Sequence, residues 1–265
     1  MRDSILSHLS PAYPWRDLLQ YHSTIGSTND VLKTLARQGA PHGTAIVAGH
    51  QTGGHGRMGR SFHSPEGMGI YLSILLRPGC APTDLMHLTC AAAVAMCDAV
   101  EDAAGFRPGI KWTNDLVYGQ RKLGGILTEL GLSPKGTVDY AIIGIGINCR
   151  QQEADFPEEI QAIAGSLNMV TGRDISPARL AAAMLDALHR MDARLLTQKA
   201  AILDAYRTGC VTLGKDISVV RGDDIRHGKA LRVDDEGALV VSYPDGSVET
   251  VNSGEVSIRG MYGYV

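Results

Sequence analysis

Residues 49 to 62, GHQTGGHGRMGRSF, place five glycines among His55, Arg57 and Arg60, with the β-like run TAIVAGH before them and a second, IYLSILL, after them. Glycine lets backbone N–H groups close on an anion, and arginine adds a planar, permanently charged fork suited to carboxylate or phosphate. A strand–loop–strand arrangement limits what this half of the chain can build. Gly54, Gly56 and Gly59 satisfy G-x-G-x-x-G, yet a dinucleotide-binding turn must open a helix. Here SFHSPEGMG reads as turns, and the chain then returns to β-branched and aromatic residues. Arginines inside the loop are also out of place where bare helix-end amides normally receive a pyrophosphate. The segment reads as an anion-holding loop between strands.

A chain of 265 residues buries about three quarters of its unfolded surface, enough for one large domain or a large one with a small companion. A formal net charge of −3 and a pI near 6.3 provide no general attraction to nucleic acid or membrane, so a basic site must be local. The five cysteines, Cys80, Cys90, Cys97, Cys149 and Cys210, have no C-x-x-C spacing, and the histidines show no ligand spacing. The cysteines read as small apolar residues of a reduced compartment, and the histidines as surface or satisfied core residues. With no apolar run of about 18 residues and no signal pattern in MRDSILSHLSPAYPW, the expectation is a soluble, cytoplasmic protein without a membrane partner.

The periodicities alternate in an α+β manner. STNDVLKTLARQG opens with capping chemistry, places Val31, Leu32, Leu35 and Ala36 on one helical face and stops at Gly39. TDLMHLTCAAAVAMCDAVEDAAG predicts a long buried helix ending at Gly105. Three strand-like runs follow, IKWTNDLVY, KLGGILTEL and DYAIIGIGIN, with a tight GQRK turn joining the first two. One or two helices are expected from Pro177 to about Tyr206. Beyond Leu213 the texture changes to short β runs about ten residues apart, DISVVRG, GKALRVDDEG, ALVVSYPDG and SVETVNSGEVSIRG, which suit a small SH3-type barrel. The expected division is residues 1–211, a mixed sheet backed by helices, and residues 212–265, the barrel.

Polar residues stand where packing alone does not want them. IKWTNDLVY carries Lys111, Asn114 and Asp115 within an apolar run, and the chain returns with Arg121 and Lys122. Burying such groups costs several kcal/mol unless they are paired or ligand-bound. Strand alternation places Lys111, Thr113 and Asp115 on one face and Trp112 and Asn114 on the other, unless a bulge intervenes. The plainer alternative is a structural Lys111–Asp115 pair with Lys122 in a solvated turn. Gly124, Gly125, Gly144 and Gly146 weaken their strands and are tolerated where a ligand or another backbone comes close.

Taken together, GSTND, QTGGHGRMGRSFHSPEGMGIYLSILLRP, KWTNDLVYGQRKLGGILTE and IGIGIN, in this order, resemble the biotin protein ligases over nearly the whole chain, since SGEVSIRG is also similar to that family's small barrel. In the loop, His55 and Met58 replace familiar arginines, Phe62 stands for a tryptophan, and Thr113 for the proline of KWPND. The resemblance implies a fold like that of class II aminoacyl-tRNA synthetases and of the biotin and lipoate ligases. It implies activation of biotin by ATP with Mg²⁺ to biotinyl-5′-AMP, then transfer to a lysine of a biotin carboxyl carrier protein. By the same resemblance, Arg57, Lys111 and Lys122 are the catalytic cations. Ser27, Thr28, Asn29, Gln51, Gly54, His55, Gly56, Arg57, Lys122, Gly124, Gly125 and Gly146 belong to the biotin site. Arg57, Arg60, Phe62 as an adenine platform, Lys111, Asn114, Asp115 and Asn148 belong to the ATP site, with Asp115 assisting Mg²⁺. GSTND begins by residue 26, ahead of which no winged helix-turn-helix fits, so the resemblance is to the monofunctional ligases and no DNA binding is expected. A homodimer through sheet edges is possible in such a fold. A lipoate ligase and a non-catalytic biotin sensor are the competing expectations.

Overall fold

The structure, a computed structural model, describes residues 1–252, 257–260 and 264–265. Residues 253–256 of the last expected β run lie outside the described residues. In chain order the main elements are α1 (Arg2–His8), β1 (Leu19–His22), α2 (Thr28–Arg37), β2 (Ala45–Ala48), β3 (Gly69–Leu76), α3 (Leu88–Ala104), β4 (Gly109–Lys111), β5 (Asp115–Tyr118), β6 (Arg121–Leu132), β7 (Val138–Asn148), α4 (Leu167–Thr171), α5 (Pro177–Leu195), α6 (Lys199–Gly209), and then β8 (Asp216–Arg221), β9 (Asp224–Val233), β10 (Leu239–Ser242), β11 (Val248–Val251) and β12 (Ser257–Gly260). The first seven strands form one mixed sheet in the order β1-β2-β3-β7-β6-β5-β4, parallel only between β1 and β2. The last five form an antiparallel sheet in the order β11-β10-β9-β8-β12.

Alternation along β3 and β7 sorts the two faces of the large sheet. Ile70, Leu72, Ile74 and Leu76, with Ile143, Ile145 and Ile147, join the core that contains α3 and α5. Leu75 and Ile142 turn the other way and pack with Ile46, Tyr140, Leu32 and Ala36 under α2. Each fully buried leucine or isoleucine contributes about 1.5–3 kcal/mol relative to exposure. The helix α2 forms because Ser27 is extended and its Oγ accepts from Asp30 N at 3.5 Å, and it ends before Gly39, at φ +88°.

The alanines of α3 allow close approach of α5 and the sheet. Gly105 at φ +76° ends the helix and donates its N–H to Glu101 O. Although no uninterrupted run marks it, the segment Pro82–Ala104 is long and apolar enough to cross a membrane. Its packing in the core accounts for that composition: Ala92, Ala93, Met96, Ala99 and Val100 are all buried.

IKWTNDLVY is not one strand. Lys111 pairs with Asp115 directly across β4 and β5, so Trp112, Thr113 and Asn114 form a tight reversal. The expectation of one continuous strand therefore fails, although Lys111 and Asp115, as cross-strand partners, do share a face. The indole of Trp112 leaves the sheet altogether, donating Nε1–H to Gly237 O at 3.0 Å. The core continues from the large sheet into Ile217, Val219 and Val233 of the small one, so the two share apolar packing.

Candidate active site

One row of residues crosses the large sheet in register: Tyr71 on β3 faces Gly146 on β7, Gly146 faces Gly125 on β6, Gly125 faces Asp115 on β5, and Asp115 faces Lys111 on β4. Cross-strand partners share a face. The middle of this row has no side chains, so the sheet provides a bare floor between walls, with a cavity of about 280 Å³ above it. The IGIGIN pattern explains this floor: isoleucines point into the core and glycines to the cavity.

The polar end of the cavity is built on the first turn of α2. Gln51 Oε1 accepts from Thr28 N (2.9 Å) and from Thr28 Oγ1 (3.1 Å). Ser73, fully buried, has its Oγ 2.7 Å from Thr28 Oγ1 and 2.5 Å from Asn29 Oδ1. Asn29 Nδ2 donates to Glu129 Oε2 at 2.8 Å, and Lys33 Nζ holds the other oxygen of that carboxylate at 3.0 Å. A buried polar network of this kind rigidifies because each broken member leaves another unsatisfied. Ser73, Glu129 and Lys33 were not among the expected residues. Ser73 hides inside the apolar run IYLSILL, where a lone buried hydroxyl is the only signal.

The cationic end lies at the β5–β6 hairpin. Lys122 Nζ is 2.6 Å from Asp115 Oδ1, and the Tyr264 hydroxyl donates to Asp115 Oδ2 at 2.5 Å. Burial pushes the Asp115 carboxyl up, but the Lys122 charge and the hydrogen bonds from Lys122 and Tyr264, with Lys111 behind them, outweigh it and hold the group below the usual carboxylate range. Tyr264 itself is pushed upward by burial and by the Asp115 charge. The plainer expectation of a Lys111–Asp115 pair with a solvated Lys122 is thus corrected: Asp115 forms its ion pair with Lys122. Lys111, 6 % exposed, sits with Nζ 3.5 Å from the centre of the Tyr264 ring.

The glycine loop folds over the open side. Phe62 N donates to Gly54 O at 2.9 Å and Gly56 N to Arg60 O at 2.7 Å. Met58, at φ +57°, takes the left-handed backbone that non-glycine residues rarely adopt. Arg57 Nη1 donates to Asn114 Oδ1 at 3.1 Å, while Asn114 Nδ2 donates to Ile126 O at 2.9 Å. Burial lowers the Arg57 guanidinium somewhat, with Asp115 opposing and Arg60 adding to the effect; the group stays a cation. His55 turns toward α2, its Nε2 at 3.8 Å from Asp30 Oδ1. The Phe62 ring lies on the floor itself, since a Cβ at Gly146 would be 2.4 Å from Phe62 Cε1.

Of the expected residues, Ser27, Thr28, Asn29, Gln51, His55, Gly56, Arg57, Arg60, Phe62, Asn114, Asp115, Lys122, Gly125, Gly146 and Asn148 line the cavity. Gly54, Gly124 and Lys111 do not. A Cβ at Gly124 would be 2.5 Å from Gly146 O, so that glycine serves strand packing, and one at Gly54 would be 2.7 Å from Ser64 Oγ within the loop. Lys111 stands behind Tyr264. Asp115, the carboxylate expected to assist Mg²⁺, lines the cavity with Oδ1 2.6 Å from Lys122 Nζ and Oδ2 accepting from the Tyr264 hydroxyl. Among the described residues no cluster of three His, Cys, Asp or Glu side chains could hold a metal. The remaining wall, Phe156, Ile160, Ile163 and Ala164, comes from a loop that joins β6 through Lys122 N to Ile163 O (2.6 Å) and Gly165 N to Lys122 O (2.8 Å). Asn148 Nδ2 secures the same loop at Gly165 O, 2.9 Å away.

Fold and site define a ligand-activating domain with a hydrogen-bonding end, a glycine floor and a cationic end under a basic loop. The model of the Biotin/lipoate A/B protein ligase family matches residues 21–148, and that of the Biotin protein ligase C terminal domain matches residues 212–259. A biotin--[acetyl-CoA-carboxylase] ligase of Mycobacterium tuberculosis is 31% identical over 252 residues, covering 91% of this chain and 89% of that relative. A bifunctional ligase/repressor BirA of Bacillus subtilis is 36% identical over 244 residues, covering 91% of this chain and 74% of the relative. The solved biotin protein ligase from Aquifex aeolicus in complex with biotin and ATP superposes with a TM-score of 0.77 at 29% identity, covering 91% of this chain and 98% of that one. The chain belongs to the biotin protein ligase family and is a ligase.

Proposed function

We propose that the protein joins biotin to ATP, forming biotinyl-5′-AMP, and passes the biotinyl group to one lysine of a biotin carboxyl carrier protein. The observation that carries this reading is the polarity of one continuous cavity. Ser27, Thr28, Asn29 and Gln51 present fixed donors and acceptors at one end, and Arg57 and Lys122 present cations at the other. The ureido ring of biotin, a compact set of two donors and one acceptor, matches the first end, the valeryl chain matches the glycine floor, and the carboxylate meets the second. A dithiolane ring offers no such hydrogen bonds, so the Thr28–Gln51–Ser73 network favours biotin over lipoate. Arg57 and Lys122 together, more positive charge than one carboxylate needs, also favour an enzyme over a sensor.

In the first step a biotin carboxylate oxygen bonds to the α-phosphorus, the bond from that phosphorus to the bridging oxygen breaks, and pyrophosphate leaves. Both reactants are anions, so charge and positioning matter more than an acid or base. Arg57 and Lys122 bring the two anions together, and Lys111 adds charge from behind Tyr264. Mg²⁺ brought in with ATP would supply further neutralisation of the phosphate charge. In the second step the neutral carrier amine bonds to the acyl carbon, AMP departs with the electron pair, and the amine proton goes to solvent. The loop over Arg57 shields the acyl phosphate from water. A cytoplasmic setting completes this reading.

Biotin-dependent exchange of labelled pyrophosphate into ATP tests it. Exchange with biotin but not lipoate supports it; exchange with lipoate alone selects the lipoyl reading, and binding of biotin without exchange selects a sensor.

A further inference from the structure

Asn29 lines the cavity with an amide whose two ends differ in hydrogen-bonding sense, Oδ1 only accepting and Nδ2 only donating. Which end a ligand meets depends on the partners of that amide. Ser73 is indifferent, because a hydroxyl that donates to Asn29 Oδ1 at 2.5 Å would as readily accept from Nδ2. Glu129 on β6 is not. Its Oε2 accepts from Asn29 Nδ2 at 2.8 Å, and a carboxylate can fill that place only as an acceptor. Its other oxygen lies 3.0 Å from Lys33 Nζ; Asn29 and Lys33, four residues apart on α2, share the helix face that meets it. Asp30 Oδ1, 2.8 Å from the same ammonium, anchors Lys33 from its own helix.

The donors therefore run one way, from Lys33 and from Asn29 Nδ2 onto Glu129, and Asn29 Oδ1 is the end nearest the glycine floor. A Cβ at Gly144 would be 2.1 Å from Oδ1 and 2.8 Å from Nδ2. Turning the amide over would set Oδ1 against the carboxylate, two desolvated acceptors with no proton between them. We infer that Glu129 is a positioning residue that sets specificity: with Lys33 behind it, it locks the Asn29 amide so that the floor offers a lone pair to a ligand N–H and turns away a ligand acceptor. This inference rests on the reading that this end of the cavity receives the ureido ring of biotin, whose two nitrogens both donate.

The test uses the full chain and calorimetric titration with biotin and with its two cyclic carbamate analogues, in each of which one ureido N–H is replaced by a ring oxygen. In Glu129→Gln, Lys33 can only donate and so takes the oxygen of the new amide, which turns its NH2 group to Asn29 and reverses the Asn29 amide. The wild type is expected to bind one carbamate about tenfold or more weaker than biotin, and Glu129→Gln to reduce that ratio by about tenfold. The other carbamate, whose oxygen lies away from Asn29, keeps its ratio. Glu129→Ala, which lets the Asn29 amide turn either way, is expected to reduce the first ratio by about threefold and carries the test if the glutamine variant does not fold. Unchanged ratios, or equal changes for both carbamates, overturn the inference, since a merely structural role weakens all three ligands alike. A wild type that binds biotin without discriminating against either carbamate also overturns it and leaves the ligase reading standing. If the wild type binds no biotin, the ligase reading falls and the inference falls with it.

Discussion

Gly144 lies directly beneath Asn29: a Cβ there would stand 2.1 Å from Asn29 Oδ1. No rotamer of a larger residue at 144 leaves the amide where it is, because Asn29 is also tied to Ser73 and Glu129. Gly144→Ala is expected to push Asn29 off its partners at a stability cost of about 1–3 kcal/mol. Biotin affinity, measured by calorimetry, should weaken by roughly tenfold or more, equivalent to about 1.4 kcal/mol. The KM for ATP should hardly move. Equal losses for both ligands would show that the change is global.

Lys122 and Asp115 combine a functional cation with a buried countercharge. Lys122→Met should reduce pyrophosphate exchange by about 10² or more, the scale for removing one preorganised charge at a reacting centre. It also leaves Asp115 without its ion-pair partner, destabilising the fold by about 1–3 kcal/mol, below the fully buried figure because the lysine is partly solvated. Adding Asp115→Asn should recover most of the lost Tm but none of the exchange. Recovery of exchange in the double variant would remove Lys122 from the chemistry.

Phe62 rests on Gly146 and meets Tyr71 edge-on, with ring centroids 6.4 Å apart at 72°. To stack on an adenine it must leave this floor when ligand enters. Phe62→Ala is expected to raise KM for ATP by about tenfold, the upper range of a lost aromatic contact. Phe62→Trp should preserve it. An unchanged ATP KM in Phe62→Ala would confine the ring to covering the floor.

His87, 1 % exposed at the start of α3, contacts Leu195 O through Nε2 at 2.9 Å and has its Nδ1 buried without a partner. Burial lowers its pKa from 6.5, against the opposing effect of that carbonyl. The folded form therefore takes up its proton at lower pH than the unfolded chain, so stability is complete above about 6.5 and declines as pH falls below it. The slope reaches at most about 1.4 kcal/mol per pH unit for one proton. Chemical denaturation at pH 7.5, 6.5 and 5.5 should show this loss, and His87→Gln should flatten it.

The local signals were legible wherever one residue type has one physical use. The cap at Ser27, the stop at Gly105, the two-residue Gly119–Gln120 connection between β5 and β6, and the alternating IGIGIN run follow from capping, left-handed backbone and strand period. The basic loop and the GSTND turn were likewise marked as parts of one site. The IKWTNDLVY run was less legible, because a reversal at Trp112 to Asn114 lacks the usual Gly or Pro punctuation. The short strand Leu19–His22 and the cavity wall at Ile160 to Ala164 carried no periodic pattern to read.

By itself, the sequence determined the element types, the glycine face of the sheet, the charged loop and the family, since each depends on residues close together along the chain. Only the tertiary structure decided which cation pairs with Asp115, that Tyr264 comes between Lys111 and that carboxylate, and that Ser73 and Glu129 hold Asn29. Those choices join residues as much as 149 positions apart, and they are settled by competition among buried charges for a few partners. Pairing energies in such a site depend on distance and solvent exclusion, which exist only once the sheet, the loop and Tyr264 have come together.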